Sequence, residues 1–157
     1  MFKKTVKLRL FDNHCDFRNH KHGNMWDLAS LKEINILNIE LNKGILIDFG
    51  ISMTLPKWYG AKIYPRSSTY KKYGLMLTNS VGIIEYDYSL NWLGSFHRIN
   101  FGTKPYINIG DRIAQFEIYL LPNAPWYMKI LHLFINGFIF KEVDVITTNR
   151  GGFGSTD

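Results

Sequence analysis

Residues 110–121 read GDRIAQFEIYLL. The stretch leaves a turn at Gly110 and then consists mainly of apolar, aromatic and β-branched residues, a pattern typical of a β-strand over Ile113–Leu121. From that strand Gln115 would project an amide donor on a rigid element. The stretch therefore predicts a strand that carries a polar group in position to bind a ligand.

Most other apolar runs are also short, and turn residues separate them. The further candidate strands are Thr5–Phe11, Asn35–Leu41, Ile45–Met53, Gly60–Tyr64, Gly74–Leu77, Val81–Tyr86 and Val143–Ile146. Only Leu28–Leu37 and Tyr127–Phe138 are compatible with helices. Many short strands with frequent turns predict a single all-β domain built as a sandwich, jelly roll or barrel.

The chain of 157 residues carries a formal net charge of +6, which suits a polyanionic partner. The basic residues are spread along the chain, and only Lys3–Lys4 and Lys71–Lys72 form tight pairs. This distribution favours a small phosphorylated ligand over a nucleic acid, because no basic stripe or arginine-rich arm is present.

The single cysteine, Cys15, excludes an intramolecular disulfide framework and indicates a reducing compartment. The N-terminus does not resemble a signal peptide. The most apolar stretch, Trp126–Phe140, is too short and too often interrupted by polar residues to span a bilayer. We therefore expect a cytoplasmic protein with no membrane partner.

The most polar stretch is Asp12–Met25, which contains His14, Cys15, His20 and His22. Such side chains could hold zinc, but the stretch lacks the second half of a zinc motif. We interpret it as a surface loop.

Two segments carry groups suited to phosphate. Pro65–Thr69 (PRSST) places Arg66 beside three hydroxyl residues, and a guanidinium fork matches phosphate oxygens. The C-terminal stretch Asn149–Asp157 (NRGGFGSTD) has glycines that allow backbone N–H groups to surround an anion. Phe153 in this polar tail has no core to join and could stack on a base.

A third segment, Asn79–Tyr88 (NSVGIIEYDY), carries two acidic residues. If the segment is a strand, Glu85 and Asp87 project to the same side. One of them could then act as a general base on a water molecule. In isolation, a solvated strand face is the better interpretation of the two acids.

The order of these segments resembles the five motifs of the trimeric deoxyuridine triphosphatase (dUTPase) family, and the PRSST form is seen in some phage and bacterial members. The matching segments are Asn24–Ala29, Pro65–Ser68, Asn79–Tyr88, Gly110–Gln115 and Arg150–Thr156. The fourth matches the family pattern fully and the first is the weakest match. The resemblance implies a dUTPase-like jelly roll (β-clip) over residues 1–148, a mobile C-terminal arm over 149–157, and a homotrimer with active sites shared between subunits.

The resemblance also implies substrate contacts for the nucleotide dUTP. Asn79 and the neighbouring backbone, including Gly82, would read the uracil edge, and Tyr88 would pack against the deoxyribose. The side chains implied to bind the phosphates are those of Arg66, Ser67, Ser68 and Gln115. From the arm, Phe153 would stack over the uracil while Arg150, Gly154 and Ser155 close on the phosphates.

The implied reaction is hydrolysis of dUTP to dUMP and pyrophosphate. Glu85 would activate a water that attacks the α-phosphorus, with Asp87 as the reserve candidate and Arg150 as a catalytic arm residue. Mg²⁺ would be held by the triphosphate and water rather than directly by the protein, with Asp27 as a possible outer-sphere contact.

The sequence departs from the family at several positions. The family has aspartate where this chain has Glu85, and an added methylene moves a carboxylate by about 1 Å or more, enough to slow a tightly positioned reaction. Leu90 stands where the family usually has glycine, and the arm is two residues shorter between Arg150 and Phe153. The stretch Asn123–Ile139 is a possible insertion. It would pack at a subunit interface or on a protein partner, or form a plain extra strand pair.

Three functions therefore remain. The first is an active dUTPase, which in a phage-encoded protein would act in the host cytoplasm. The second is a dUTPase-fold module that binds a nucleotide or a protein with weak hydrolysis, as Glu85 and the 123–139 stretch suggest. The third is a dCTP deaminase, which shares the fold and a PRSS-like motif, although the RGGFGST tail argues against it.

Overall fold

Short strands dominate the computed structural model, which describes residues 2–88 and 90–144. The strands are β1 (Phe2–Leu10), β2 (Lys21–His22), β3 (Met25–Ala29), β4 (Ile34–Asn35), β5 (Gly44–Asp48), β6 (Ile51–Thr54), β7 (Tyr59–Pro65), β8 (Leu75–Leu77), β9 (Gly82–Ile84), β10 (Leu93–Arg98), β11 (Tyr106–Ile107), β12 (Arg112–Leu120) and β13 (Ile135–Glu142). Two α-helices, α1 (Ser67–Tyr73) and α2 (Trp126–His132), and two 3-10 helices, Asn13–Cys15 and Ile36–Asn38, complete the described elements. The prediction of a β fold is confirmed.

The predicted strand that begins near Ile113 is β12, and it lies at the centre of a five-stranded sheet of order β2-β3-β12-β7-β9. It pairs antiparallel with both neighbours, so Gln115 lies between Asp27 of β3 and Tyr64 of β7. Ile113 and Phe116 are buried, whereas Gln115 is only half-buried. The sheet therefore brings parts of four family motifs side by side, on β3, β12, β9 and the end of β7.

Three smaller sheets surround this one. Their orders are β13-β1-β6, β5-β10-β8 and β11-β4. In the first, β1 runs parallel to β13, with Leu8 opposite Glu142, and antiparallel to β6. The strands of the other two sheets are antiparallel.

The core is organised around the ring of Phe116, which β12 directs inward. Trp26 stacks on it with ring centroids 5.3 Å apart, and Trp92 and Phe17 meet it edge-on, each at 5.1 Å. Such aromatic pairs contribute about 0.5–1.5 kcal/mol each beyond the area they bury. Part of the high aromatic content of the chain is therefore used to pack the central sheet.

Two predicted strands are wrong in their extent. Ile45–Met53 is divided into β5 and β6 by a turn, in which Gly50 has a φ of +65° and donates its N–H to the Asp48 carboxylate at 2.8 Å. Asn35–Leu41 leaves the strand after Asn35, because the Asn35 side chain accepts the Leu37 N–H at 2.9 Å and caps a 3-10 helix. Local side-chain bonds to the backbone compete with strand pairing at both places.

The helix predictions also need correction. Leu28–Leu37 is not an α-helix: it contains the end of β3, a turn in which the Ser30 hydroxyl donates to the Lys32 carbonyl at 2.7 Å, then β4 and the start of the 3-10 helix Ile36–Asn38. Tyr127–Phe138 contains most of α2 and then enters β13 at Ile135. The sequence does not predict α1, because this helix buries only Thr69 and Tyr73 and so shows little apolar periodicity.

The last predicted strand, Val143–Ile146, is not a strand at Val143 and Asp144, and its remaining residues lie outside the described part of the chain. The boundary between a domain of residues 1–148 and an arm of 149–157 stays a prediction for the same reason. Among the described residues, no helix has the length and apolar character needed to cross a membrane.

A glycine ends α1 where no other residue fits. Gly74 has a φ of +66°, and a Cβ added to it would lie 2.0 Å from the Asn100 carbonyl oxygen. Gly23, in the turn between β2 and β3, has a similar φ of +61° but has no atom within 4 Å of an added Cβ. Comparing alanine substitutions at the two positions therefore separates the cost of backbone strain from the cost of a steric clash.

We expect Gly23→Ala to cost about 1–2 kcal/mol in the free energy of unfolding, from the left-handed backbone alone. Gly74→Ala adds a clash with backbone and should cost about 3 kcal/mol or more. Urea denaturation of the two variants measures both values. Equal destabilisation would contradict the close approach of residues 74 and 100.

Candidate active site

A buried carboxylate joins the first, second and fourth motifs. Asp27 is 3% exposed, and its Oδ1 forms an ion pair with Arg66 Nε at 2.9 Å. Its Oδ2 accepts a charged hydrogen bond from Arg112 Nη1 at 3.2 Å. The geometry follows from strand pairing, because β3 places Ala29 opposite Arg112 and Asp27 opposite Gln115, with an irregularity between Arg112 and Ala114. One acid thus orients two guanidiniums.

The PRSST segment is fixed to β12 by its backbone and by one hydroxyl. Both the Arg66 N–H and the Thr69 hydroxyl donate to the Ile113 carbonyl, at 3.2 Å and 2.6 Å. Arg66 Nη1 also donates to the Arg112 carbonyl at 3.3 Å. Because Thr69 is fully buried, its bond anchors the first turn of α1 to the sheet. Ser67 and Ser68, exposed and half-buried, are thereby presented at the end of β7.

The same cluster carries an excess of positive charge. Arg66 and Arg112 together contribute two charges, and Asp27 neutralises one of them. Gln115, whose Nε2 donates to the Pro65 carbonyl at 3.4 Å, adds a neutral amide beside them. Paired guanidiniums next to hydroxyl and amide donors form a site suited to phosphate oxygens.

Behind this cluster, a tyrosine links α1 to the turn before β12. The Tyr73 hydroxyl donates to Asp111 Oδ2 at 2.9 Å. Burial, followed by the bond to Asp111, raises the pKa of Tyr73. Although burial acts in the opposite direction on Asp111, hydrogen bonds from the Asn108 N–H and from Tyr73 lower the pKa of its carboxyl. Asp111 is therefore ionised at neutral pH and holds the GDRIAQ turn in place.

The Asn79–Gly82 part of the third motif forms a tight turn before β9. Ser80 has a φ of +60°, and the Val81 N–H donates to the Asn79 carbonyl at 2.6 Å. A Cβ added to Gly82 would lie 3.2 Å from the Cβ of Ile63, so glycine allows β9 to approach β7 closely. Backbone held in this way is suited to presenting fixed hydrogen-bonding groups.

The predicted strand does not continue through the two acids. It ends at Ile84, and residues 85–88 turn back, with the Tyr88 N–H donating to the Glu85 carbonyl at 3.1 Å. The expectation that Glu85 and Asp87 share one strand face is therefore wrong, although both side chains are exposed. Tyr88 is half-buried, and its hydroxyl donates to the Asn91 carbonyl at 3.2 Å.

Within one chain Glu85 lies far from the phosphate-binding cluster. Gly82 pairs with Ile63 and Ile84 pairs with Ala61, so β9 runs toward the Gly60 end of β7. Glu85, the next residue after β9, therefore lies at that end, whereas Arg66 follows the opposite end of β7. Six residues of strand separate Gly60 from Arg66, roughly 20 Å at the usual rise. Glu85 instead lies near Tyr119, whose pKa is raised by burial and then by the charges of Glu85 and Glu117.

The arm residues Arg150, Phe153, Gly154 and Ser155 lie outside the described residues. The polar stretch of residues 12–25 is more ordered than a simple loop, since it contains a 3-10 helix and β2. Burial, followed by the charges of Asp12 and Asp48, raises the pKa of Cys15 to about 11. In the described part of the chain, no group of three or more His, Cys, Asp or Glu side chains is placed to hold a metal ion.

Sequence reasoning misses three contributors to this site. Arg112 belongs to a motif, but only the fold shows that it shares Asp27 with Arg66. In the sequence, Thr69 is only one of three adjacent hydroxyl residues. Tyr73 gives no signal at all, because its partner Asp111 is 38 residues away in the chain.

The sheet and its cluster define a β protein with a site suited to phosphate groups. A family model described as dUTPase matches residues 22–156, and the chain belongs to the dUTPase family. It is similar to the SPbeta prophage-derived deoxyuridine 5'-triphosphate nucleotidohydrolase of Bacillus subtilis, with 37% identity over 156 residues that cover 96% of each chain.

Two solved structures share the fold. One is the dUTPase of Streptococcus mutans, with a TM-score of 0.64, 20% identity, and coverage of 78% of this chain and 99% of that one. The other is a mutant form of the dUTPase of Staphylococcus aureus phage phi11, with a TM-score of 0.64, 19% identity, and coverage of 78% and 94%. The predicted family and fold are confirmed.

The Thr69 hydroxyl offers a direct test of how the second motif is anchored. Thr69→Val keeps the shape and removes the donor, and should lower the free energy of unfolding by about 1–2 kcal/mol. Thr69→Ser keeps the hydroxyl and should recover most of that loss. Thr78→Val is the matched control, because the Thr78 hydroxyl is exposed and its bond to the Ser95 carbonyl is 3.3 Å long. Urea denaturation compares the three, and equal effects at positions 69 and 78 would contradict the anchor.

Proposed function

We propose that this chain hydrolyses dUTP to dUMP and pyrophosphate. The observation that carries the proposal is the cluster in which Asp27 holds Arg66 and Arg112 beside Gln115 and the PRSST hydroxyls. Membership of the dUTPase family supplies the substrate class. The B. subtilis relative carries the name of that activity and covers nearly the whole chain.

In the reaction that we propose, a water oxygen attacks the α-phosphorus, and the bond from that phosphorus to the bridging oxygen breaks. Glu85 accepts the proton of the attacking water, and pyrophosphate leaves with the bridging oxygen. A general base of this kind contributes about 10²–10⁴-fold to a rate. Asp87, in the same turn and also exposed, is the reserve base.

Selection of the nucleoside is assigned to the segment that precedes Glu85. Asn79 and the backbone near Gly82 would bind the uracil edge, and a rigid polar slot discriminates sharply because a wrong base leaves its groups unpaired. Tyr88 would exclude a ribose 2′-hydroxyl. The half-buried position of its ring and the bond from its hydroxyl to Asn91 support a fixed orientation.

The metal in this proposal is Mg²⁺. The phi11 dUTPase structure concerns the coordination of a structural Mg(II) ion. The donors of the present chain fit an ion held mainly by substrate phosphates and water, which is the common mode for Mg²⁺ in nucleotide enzymes. Asp27 would act from the outer sphere, while its oxygens orient Arg66 and Arg112. Bound Mg²⁺ would neutralise charge on the triphosphate.

We further propose a homotrimer whose sites are shared between chains. Support comes from the placement of Glu85 and Arg66 at opposite ends of β7, roughly 20 Å apart. This separation favours a site to which a neighbouring chain supplies one of the two groups. The arm over 149–157 would then close the site, with Phe153 on the uracil and Arg150, Gly154 and Ser155 on the phosphates.

Substitution of Glu85 tests the reaction. Glu85→Gln keeps the shape but cannot accept a proton, so kcat should fall by about 10²–10⁴-fold while dUTP affinity changes less than about twofold. Glu85→Asp should preserve or raise the rate. Asp87→Asn is the matched control and should have little effect. Phosphate release and calorimetric binding of dUTP provide the two readouts, and the assignment fails if Asp87→Asn is the inactivating change.

A mixing experiment tests the shared site. Arg66→Ala and Glu85→Gln should each be inactive alone, because each removes a group that every site needs. When the two variants are unfolded together and refolded at equal amounts, about a quarter of the sites should receive both intact groups from different chains. Activity near a quarter of wild type supports the proposal. No recovery, with a trimer mass confirmed by light scattering, would place both groups on one chain.

A second candidate function is binding to a protein partner through the 123–139 stretch. Trp126 and Leu133 are 74% and 78% exposed, and no acidic residue occurs between Glu117 and Glu142. An apolar and basic surface of this kind is suited to an acidic partner or to another subunit. A chain that binds dUTP tightly without hydrolysing it would favour this function. The cytoplasm, or the host cytoplasm if the chain is phage-encoded, is the compartment that we assign.

A further inference from the structure

Two histidines lie beside the phosphate-binding cluster, at a place that the family motifs do not cover. His22 Nε2 lies 3.5 Å from Asp27 Oδ2, the oxygen that also accepts from Arg112. His20 Nδ1 lies 3.5 Å from Arg112 Nη1. The His22 side chain is 66% exposed, whereas that of Asp27 is 2% exposed. His22 therefore joins the buried cluster to solvent.

The β2–β3 hairpin fixes this position. His22 pairs with Met25 and Lys21 pairs with Trp26, and the turn passes through Gly23 at a φ of +61°. The Asp27 N–H donates to the His20 carbonyl at 3.1 Å. The hairpin thus sets the backbone of both histidines relative to Asp27.

Several charged groups face these imidazoles. From β3 and β12 they are Asp27 and Arg112, and Arg66 lies on the other oxygen of Asp27. Lys21 lies over the Trp26 ring at 4.9 Å. On the side of His20, the Asp16 carboxylate is engaged by Arg18 at 2.8 Å. Asp27 is thus the only acid in direct contact with His22 among the described residues, and it already holds two guanidiniums.

The strand order extends the site outward from the centre of the sheet. Gln115 and Arg112 belong to β12, Asp27 to the neighbouring β3, and His22 to the edge strand β2. A chain of several phosphates can accept from Gln115 and Arg112 and extend past Asp27 to His22, whereas a single phosphate bound near Gln115 need not reach the edge strand. A histidine at that end would contribute to affinity for a polyphosphate in particular.

We propose that His22 is a further substrate-binding residue, whose imidazolium contacts the terminal phosphates of dUTP and makes affinity for the triphosphate stronger at mildly acid pH. The proposal rests on the proposed dUTP chemistry of the same site. Histidine ordinarily changes its charge near neutral pH. The charged form adds a donor and a positive charge next to two guanidiniums, and a polyanion offsets their mutual repulsion. His20 Nδ1 also lies 3.5 Å from Nη1 of Arg112.

The test uses the full-length protein and calorimetric binding of a non-hydrolysable imido analogue of dUTP and of dUMP, together with turnover of dUTP-Mg²⁺. Wild type is compared with His22→Gln and His22→Lys at about pH 6 and about pH 8, which span the usual titration of histidine. The analogue itself titrates in this range, so the quantity compared is the ratio of variant to wild-type affinity. His14→Gln is the matched control, because His14 also contacts an acid, Asp12 at 2.6 Å, but one without a guanidinium.

We expect His22→Gln to bind the analogue about fivefold more weakly than wild type at pH 6 and nearly as tightly as wild type at pH 8. A fivefold loss is the effect expected from removing one partly exposed ionic contact. His22→Lys should bind tightly at both pH values. KM should change with little change in kcat, and dUMP affinity should not change. His14→Gln should follow wild type throughout.

Three results would overturn the proposal. They are a ratio of His22→Gln to wild-type affinity that is the same at both pH values, an equal loss of affinity for dUMP and for the analogue, and an equal loss of affinity in His14→Gln. Failure of the proposed function looks different, since wild type would then leave dUTP unhydrolysed. If wild type binds the analogue without hydrolysing it, the binding ratios still decide the role of His22. If wild type does not bind the analogue, both proposals are wrong.

Discussion

The contact between the carboxylate of Asp27 and two guanidiniums is the constraint on which the rest of the site depends. Removing one member of a buried ion pair is strongly destabilising, commonly about 3–5 kcal/mol, because the remaining charge is left uncompensated. Here the acid lies on β3, one guanidinium on β12 and the other at the end of β7, so a single carboxylate ties three strands of the central sheet together. The fold and the phosphate chemistry are therefore not independent. A sheet that slipped by one residue would separate Asp27 from both arginines and expose its hydrophobic face.

The parts of the molecule that can be predicted from the sequence are those encoded locally. The GDRIAQ strand is predictable because its turn, its apolar run and its polar residue all lie within twelve residues. The five motifs are recognisable because their order along the chain is itself informative. By contrast, α1 has only Thr69 and Tyr73 facing inward, and both are stabilised by bonds to residues more than thirty positions away. The sequence also predicts one strand in place of β5 and β6, although the turn between them is local and the Gly50 N–H donates to the Asp48 carboxylate there.

The position of Glu85 shows a different reason for the limits of sequence reasoning. The role proposed for it comes from its place in a motif, yet strand pairing puts Glu85 and Arg66 beyond opposite ends of β7 within one chain. Sequence order says nothing about which copy of a chain completes a site. Glu85 itself follows β9 at an exposed turn, so its reach is not fixed by core packing. In the present chain a large neighbour of Glu85 along the sheet is Tyr119, whose ring lies against Gly60.

The parallel pairing of β1 with β13 has a consequence for how the protein is made. β1 leaves the ribosome well before β13, because most of the described chain lies between them, and their pairing joins Phe2 to Ile135. Pairings of such long sequence separation form slowly, because the loop between them must be closed before the contact stabilises anything. During synthesis β1 can pair with β6 once Thr54 has emerged, but its other edge stays open until β13 follows. That open edge contains Lys3, Lys4 and Lys7, and charged lysines on an unpaired strand discourage association with the edges of other nascent chains.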